Sequence, residues 1–288
     1  MKPLLDTARY IYNRYRLGTS AIRVLPDFII IGAQKGGTTS LYNYLIEHPH
    51  IASARMKEVH YFDRNFTKGV SWYKAHFPTL FQKYYSQNIR RQKFITGEGS
   101  PEYLFFRHPP KLAAKILPHA KIIVMLRNPV DRAYSQYQHN VGWGFEKLSS
   151  FQEAIASEEE RTREGRERSA VDEYYHDRDY QRAAYLARGM YAVQLERWLD
   201  LFPREQFLII RSEDFYIDPE EVYKETLAFL QVPILIPRNL QKGYKTYNKS
   251  KEIKSKMDGA MREYLVEYFK PHNAQLYTLL GRDFGWDR

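Results

Sequence analysis

The 288-residue sequence contains no cysteine. A disulfide framework, a thiolate metal site and a cysteine nucleophile are therefore excluded. No apolar run approaches the roughly 18 to 20 residues needed to span a bilayer. The lack of cysteine favours a reducing compartment, and we predict a cytoplasmic protein without a transmembrane segment.

The sequence also lacks internal repeats and any linker that would divide it. A chain of this length can bury one substantial core. We therefore predict a basic N-terminal extension over residues 1–26 and a single domain over residues 27–288. The extension is predicted to be a basic amphipathic helix that docks on the domain, with contact to a membrane surface as the alternative.

Acidic residues are fewer than basic ones: the sequence has 34 Asp and Glu and 44 Lys and Arg, for a net charge of +10. A basic chain can attract nucleic acid, anionic membranes or anionic small molecules. No groove-reading motif accompanies the charge, so we predict no nucleic-acid partner. No cluster of metal ligands is evident in the sequence, and we predict no metal.

Three short apolar runs predict buried strands, at residues 27–32, 121–126 and 206–210. Helical spacing follows the first run over residues 38–47, and Pro129 begins another helix after the second. Alternating strands and helices indicate an α/β fold whose parallel sheet is covered on both faces.

Two further helical segments are predicted in the second half of the chain. Residues 182–202 have the pattern of one long helix that ends at Pro203. Residues 158–168 are almost wholly charged and predict an exposed helix or a mobile insertion with a solvated face.

The most informative stretch is Gly32–Ser40, which reads GAQKGGTTS and lies between a predicted strand and a predicted helix. Its glycines let backbone N–H groups converge on an anion, and the helix start adds partial positive charge. It is not a Walker A sequence, because the lysine precedes the paired glycines. The predicted phosphate ligands are Lys35, Gly36, Gly37, Thr38, Thr39 and Ser40.

A second candidate anion site follows the strand predicted at residues 121–126. Arg127 offers a planar guanidinium suited to phosphate. Ser135 lies eight residues further on, about two helical turns. The spacing leaves open whether both residues meet the same phosphate, and a structural ion pair is the alternative role for Arg127.

A candidate proton acceptor lies in residues 57–63, which read KEVHYFD. If this segment is extended, Glu58 and His60 project on the same side. Either side chain could take a proton from an acceptor, and the near-neutral pKa of histidine makes His60 the first choice on chemistry alone. A surface loop with a salt bridge is the alternative.

Together these segments resemble the sulfotransferases that use 3'-phosphoadenosine 5'-phosphosulfate (PAPS), especially the heparan sulfate branch. Residues 34–41, QKGGTTSL, are similar to the family's 5'-phosphosulfate loop, and residues 127–137 to its 3'-phosphate motif. Residues 57–63 resemble its Lys-Glu-x-His-Phe-Phe-Asp motif. The resemblance implies a three-layer, P-loop-like fold with a central parallel sheet flanked by helices.

The resemblance also implies roles for individual residues. Lys35 would reach the sulfate-bearing phosphate, while Arg127 and Ser135 would bind the 3'-phosphate. Glu58 would be the catalytic base, with His60 assisting it or positioning the substrate. The candidate acceptor-binding and base-orienting residues are Lys57, Asp63, Trp72, Tyr103 and Tyr191.

Two family segments are matched less completely. Residues 97–105 are similar to the family's Glu-Lys-Ser/Thr-x-x-Tyr-Phe segment, but Gly99 stands where the family has lysine, so a charge that would help hold an anionic substrate is missing. Residues 242–244 or 249–251 could correspond to the third, Gly/Lys-rich cofactor segment.

The implied reaction transfers a sulfuryl group in line from PAPS to a hydroxyl or N–H of a sugar or small-metabolite acceptor. One alternative is a nucleotide-dependent phosphoryl transferase, which should show a Walker A lysine and a magnesium-binding carboxylate. Another is a non-catalytic module that binds anions or carbohydrate. The presence of Glu58 beside two anion motifs argues against the second alternative.

Overall fold

The computed structural model describes residues 2–172, 174–241 and 256–287. Within these residues, five parallel strands form one sheet: β1 Phe28–Gly32, β2 Ile51–Ser53, β3 Ile95–Gly99, β4 Lys121–Leu126 and β5 Phe207–Arg211. Their order across the sheet is β2-β3-β1-β4-β5. The three strands expected from the apolar runs are confirmed as β1, β4 and β5, whereas β2 and β3 were not anticipated.

The helices of the described residues lie before, between and after these strands. They are α1 Lys2–Gly18, α2 Thr38–Ile46, α3 Gly69–Lys74, α4 Leu80–Tyr84, α5 Pro109–Ile116, α6 Pro129–Gly142, α7 Phe151–Ala156, α8 Glu158–Val171, α9 Arg178–Ala183, α10 Tyr191–Leu199, α11 Ser212–Ile217, α12 Pro219–Leu230, α13 Arg238–Gln241 and α14 Gly259–Leu280. No helix in this part of the chain combines the length and apolarity needed to cross a membrane.

Helices cover both faces of the sheet because successive strand side chains point to opposite sides. Ile29 and Ile31 of β1 belong to a core with Trp198 of α10. Phe28 and Ile30 of the same strand belong to a second core with Leu41 of α2. The expected α/β architecture, a central parallel sheet between two helical layers, is confirmed.

Strand β3 has a sequence, Ile-Thr-Gly-Glu-Gly, that does not read as a strand because glycine is depleted in strands. The packing explains Gly97: a Cβ atom there would lie 2.4 Å from the ring of Phe28 on β1. The glycine makes room for a core aromatic ring, which the sequence of β3 alone does not reveal.

The prediction of one long helix over residues 182–202 is wrong. Helix α9 ends at Ala183, a single 3-10 turn covers Ala187–Gly189, and α10 begins only at Tyr191. The break has an identifiable cause, because the carboxylate of Glu158 accepts hydrogen bonds from the backbone N–H groups of Tyr185, Leu186 and Ala187 at 2.7 to 3.0 Å. A continuous helix would have used those N–H groups internally.

The same contact corrects the picture of the charged segment 158–168. The segment is helical, as part of α8, and most of its side chains are exposed. Glu158, however, is buried and acts as a structural anchor. Burial raises the pKa of its carboxyl to about 6, against the effect of the backbone hydrogen bonds.

The sheet order brings the four sequence motifs together. The phosphate loop follows β1, residues 57–63 follow β2, Ser100 follows β3 and Arg127 follows β4. The carboxyl ends of parallel strands lie at one edge of a sheet, where α/β proteins form their ligand crevices. This edge is therefore the candidate functional site.

Candidate active site

The phosphate loop joins β1 to α2 in a conformation that requires its glycines. Gly37 has a φ of 90° and precedes α2, whose start has no side-chain cap. A Cβ atom on Gly36 would lie 2.7 Å from the carbonyl oxygen of Met125, and the Ser212 hydroxyl donates to the Gly36 carbonyl at 2.7 Å. The loop is held against β4 and the end of β5, while the first amides of α2 have no side-chain acceptor of the usual capping kind.

The second anion loop contacts the first. Arg127 Nη1 donates to the carbonyl oxygen of Lys35 at 3.2 Å, and the Tyr191 hydroxyl donates to the carbonyl oxygen of Arg127 at 2.8 Å. Ser135 lies buried on α6, which starts at Pro129 behind the side-chain cap of Asn128. The two candidate phosphate loops are therefore in direct contact.

Residues 57–60 form a loop, so the extended geometry considered for residues 57–63 is not present; we call residues 57–63 the catalytic loop. Glu58 and His60 both have left-handed backbones, with φ of 60° and 53°, and a single π turn follows over Tyr61–Asn65. Such conformations are costly for residues other than glycine and cluster at functional sites. The strain points to a constraint on the position of these two side chains.

The side chains of this loop form a charged chain that we call the catalytic cluster: Lys57, Glu58, His60 and Asp63. The Lys57 ammonium contacts the Glu58 carboxylate, and His60 Nε2 lies 3.6 Å from Glu58 Oε2. The other ring nitrogen, Nδ1, hydrogen-bonds to Asp63 Oδ2 at 2.8 Å. The Asp63 side chain is buried, whereas that of Glu58 is 40% exposed and accessible to a substrate.

These contacts set the protonation states. Burial by itself would lower the pKa of His60, but its contacts with Asp63 and Glu58 outweigh burial and raise the pKa to about 9. For the carboxyl of Glu58 burial acts in the opposite direction and would raise the pKa, but His60 and Lys57 lower it to about 2. At neutral pH the cluster therefore holds an imidazolium between two carboxylates.

A buried carboxylate on β3 supports the catalytic cluster through hydrogen bonds. Glu98, on β3, accepts hydrogen bonds from the hydroxyls of Ser100 at 2.6 Å and Tyr103 at 2.7 Å. The same two hydroxyls accept the backbone N–H groups of His60 at 3.0 Å and Tyr61 at 2.8 Å. Glu98 thus fixes two successive amides of the strained loop through two hydroxyl groups.

A second buried ion pair connects the phosphate loop to the segment after β3. Arg188 contacts the carboxylate of Glu102, donates to Gln34 Oε1 at 2.8 Å and lies over the ring of Phe105 at 4.6 Å. Neither Glu98 nor Arg188 was among the site residues predicted from the sequence. The only signal for Glu98 was its place in the segment similar to the family's Glu-Lys-Ser/Thr motif.

The predicted acceptor-binding residues occupy different environments. Tyr103 and Tyr191 are buried, with hydroxyls bonded to the protein interior, so their position favours a supporting role over contact with an acceptor. Asp63 is also buried and orients His60. Trp72 on α3 is partly exposed, stacks with Tyr61, packs against the tilted ring of His76 and carries Lys68 over its ring.

A cavity and the predicted third cofactor segment are not part of the site described above. A cavity of about 730 Å³ lies among α7, α8 and the start of α14, and none of the predicted site residues lines it. Residues 242–244 and 249–251, predicted to hold the third cofactor segment, lie outside the described residues.

The strand order and the glycine-rich loop after β1 place the chain among the α/β proteins of P-loop-like fold. Residues 25–274 match the family model of the sulfotransferase domain, and the chain belongs to the sulfotransferase family. A crystal structure of a sulfotransferase from Alicyclobacillus acidocaldarius is similar, with 34% identity, 92% of this chain and 100% of that chain covered, and a TM-score of 0.68.

Curated relatives include larger proteins. A membrane-associated sulfotransferase of Dictyostelium discoideum is 31% identical over 91% of this chain, and this chain spans 66% of it. A bifunctional heparan sulfate N-deacetylase/N-sulfotransferase of Mus musculus is 34% identical over 90% of this chain, which spans 30% of that protein.

The raised pKa of His60 predicts a pH-dependent contribution to stability. Because the folded pKa of about 9 lies above the ordinary 6.5, the contribution is present below pH 6.5 and is lost as the pH rises through 9. Urea unfolding at pH 6 and pH 9.5 should show the advantage of wild type over His60→Gln falling by about 3 kcal/mol. Asp63→Asn should lose less unfolding free energy than wild type between the two pH values. An equal pH dependence in all three proteins would contradict the raised pKa of His60.

The support from Glu98 predicts different effects for two tyrosines. Tyr73 also donates to Glu98, at 3.1 Å, but only the Tyr103 hydroxyl additionally accepts an amide of the catalytic loop. Tyr103→Phe should therefore lower kcat at least tenfold, because the Tyr61 amide loses its acceptor, which by itself costs about 1–3 kcal/mol.

Tyr73→Phe is the matched control, since it removes one hydroxyl from the same buried carboxylate and should leave kcat within about threefold of wild type. Both variants are compared well below their melting temperatures. Equal losses of kcat would show that the contact between the Tyr103 hydroxyl and the Tyr61 amide has no effect of its own on catalysis.

Proposed function

We propose that the protein transfers a sulfuryl group from PAPS to a hydroxyl or N–H of a sugar or small-metabolite acceptor. The observation that carries this proposal is the convergence of two basic loops and the catalytic cluster at one edge of the sheet, in a member of the sulfotransferase family. The cytoplasmic location stays a prediction from the sequence.

The residues present fit a phosphorylated donor. The uncapped start of α2 and the close-packed backbone at Gly36 form a cradle for a phosphate group, and Lys35 adds a full charge. Arg127 and Ser135 would hold the 3'-phosphate on the adjoining loop. PAPS, when bound, supplies the sulfuryl group and departs as adenosine 3',5'-bisphosphate.

Glu58 is the better candidate for the base. His60 is protonated at neutral pH and therefore cannot accept a proton, whereas Glu58 is ionised and exposed. Glu58 would take the acceptor's proton as the bond from the acceptor oxygen or nitrogen to sulfur forms and the bond from sulfur to the phosphate oxygen breaks. Its low basicity suits a late transfer, when the attacking group has become acidic through its bond to sulfur.

The cations of the site would stabilise the charge that grows during transfer. Lys35 and the amides of residues 36–39 would face the leaving oxygen, and preorganised donors of this kind are worth about 3 to 4 kcal/mol each. His60 would hold Glu58 in place through Nε2, while Asp63 fixes the imidazole ring of His60 through Nδ1.

The acceptor class is the least constrained part of the proposal. Lys57 and Trp72 are the predicted acceptor residues that reach the surface near the cluster. Gly99 leaves the site without the lysine that the heparan sulfate branch carries, which favours an acceptor with fewer negative charges. A sugar or small-metabolite hydroxyl meets this description.

Substitution of the two central residues tests the chemistry. Lys35→Ala and Glu58→Gln should each lower turnover at least about a hundredfold while the fold survives, because each removes a group that acts in the transition state. Lys270→Ala and Glu267→Gln are matched controls on the exposed face of α14 and should keep turnover. Near-normal turnover in Glu58→Gln would remove it as the base.

Calorimetry with three ligands tests the class of reaction. Tight binding of adenosine 3',5'-bisphosphate, lost in Arg127→Ala, with much weaker binding of ATP, is the expected result. Preference for ATP would indicate a phosphoryl transferase, and binding of an oligosaccharide alone would indicate a non-catalytic module. Consumption of PAPS against a panel of glycans and small alcohols would then define the acceptor.

A further inference from the structure

Exposed apolar side chains are concentrated in two short stretches of the chain. Of the 23 large apolar residues exposed in the described residues, eleven lie within residues 10–22 and 80–89. They are Tyr10, Ile11, Tyr12, Tyr15, Leu17, Ile22, Leu80, Phe81, Tyr84, Tyr85 and Ile89. Concentrated apolar surface of this kind marks an interaction site, whereas single exposed residues are ordinary. We call residues 10–22 and 80–91 the interfacial surface.

The two stretches are neighbours because both are fixed to residues 75–79. Arg16, near the end of α1, donates to the carbonyl oxygens of Ala75 at 2.5 Å and Phe77 at 2.9 Å. Arg23 pairs with Thr79 in an antiparallel bridge, and Thr79 is the N-cap of α4. Helix α1 is thus held at its C-terminal end, while its side chains at positions 10–15 remain exposed.

The charge of this surface has one sign. Residues 7–26 and 79–94 contain no Asp or Glu. Arg14, Arg90 and Arg91 are exposed among the apolar side chains, and Arg90 lies over the ring of Tyr85 at 5.3 Å. The nearby Asp27 lies 3.6 Å from Lys83 and is the one acid that an ion pair connects to these stretches in the described residues.

We propose that the interfacial surface binds the surface of an anionic phospholipid bilayer. Arginines would meet the lipid phosphates, and the tyrosine, phenylalanine and isoleucine side chains would enter the boundary between headgroups and acyl chains. A polyanionic glycan would match the charge but leave Ile11, Phe81 and Ile89 in water. A bilayer satisfies both the charge and the apolar side chains.

The surface also contacts a residue that is near the catalytic cluster in the sequence. Arg55 lies over the ring of Tyr12 at 5.3 Å, only two residues before Lys57. The other stretch is tied by Lys83 to Asp27, which precedes β1 and so lies at the opposite edge of the sheet from the catalytic loop. The proposal does not depend on the chemistry of that loop, so it can fail while the proposed transfer stands.

Vesicle sedimentation of the full chain tests the proposal. The chain should sediment with vesicles of phosphatidylcholine containing phosphatidylserine and much less with phosphatidylcholine alone. Replacing Tyr10, Ile11, Phe81 and Ile89 together by serine should lower the partition coefficient at least tenfold. Replacing Arg90 and Arg91 by glutamine should lower it about fivefold for each charge, and added salt should reduce wild-type binding.

Exposed apolar residues elsewhere give the matched control. Val171→Ser and Ile217→Ser remove side chains that are 93% and 81% exposed on other helices, and they should leave vesicle binding unchanged. Equal binding to both kinds of vesicle, or none to either, would overturn the proposal. So would binding to dextran sulfate in place of vesicles, or a dimer in solution that the fourfold serine variant dissociates.

Discussion

The pairing of β1 with β3 on one side and β4 on the other is the constraint on which the candidate site depends. The loops that begin at residues 33, 100 and 127 become neighbours because their strands run parallel and end at the same edge. The hydrogen bond from Arg127 to the Lys35 carbonyl is a direct result of this adjacency. Without the parallel order, the two basic loops would be separate features.

The site combines strained backbone with buried support. Two non-glycine residues of the catalytic loop adopt left-handed conformations, and two hydroxyls bonded to Glu98 hold the amides that follow. Strain of this kind persists only where the surroundings fix it. The buried carboxylate of Glu98 supplies that support, since its two hydroxyl partners are oriented by it and cannot turn their acceptor lone pairs away from the loop.

Electrostatics separates the roles of two side chains that the sequence left as alternatives. Histidine is the ordinary choice for a base near neutral pH, but His60 lies between Asp63 and Glu58 and holds its proton. The exposed carboxylate beside it stays ionised. The same cluster of charges that excludes His60 as a base leaves Glu58 available for that role.

Periodicity and local motifs carried much of the prediction. The apolar runs located β1, β4 and β5, and the phosphate-loop and arginine motifs were found at the strand ends where the structure has them. These features are local, because the pattern that predicts a buried strand or a glycine-rich turn lies within a few consecutive residues. Strand β3 was missed, since its Gly97 serves the packing of Phe28 on another strand.

By itself, then, the sequence determined the α/β architecture, the residue types of both anion loops and the members of the catalytic cluster. Only the tertiary structure decided that the segment of Glu58 and His60 is a strained loop, that His60 is cationic and that Glu98 supports the loop. It also showed two helices in place of one long predicted helix, because the Glu158 carboxylate accepts hydrogen bonds from three backbone N–H groups between them. All of these depend on contacts between residues far apart in the chain, and local sequence patterns do not encode such contacts.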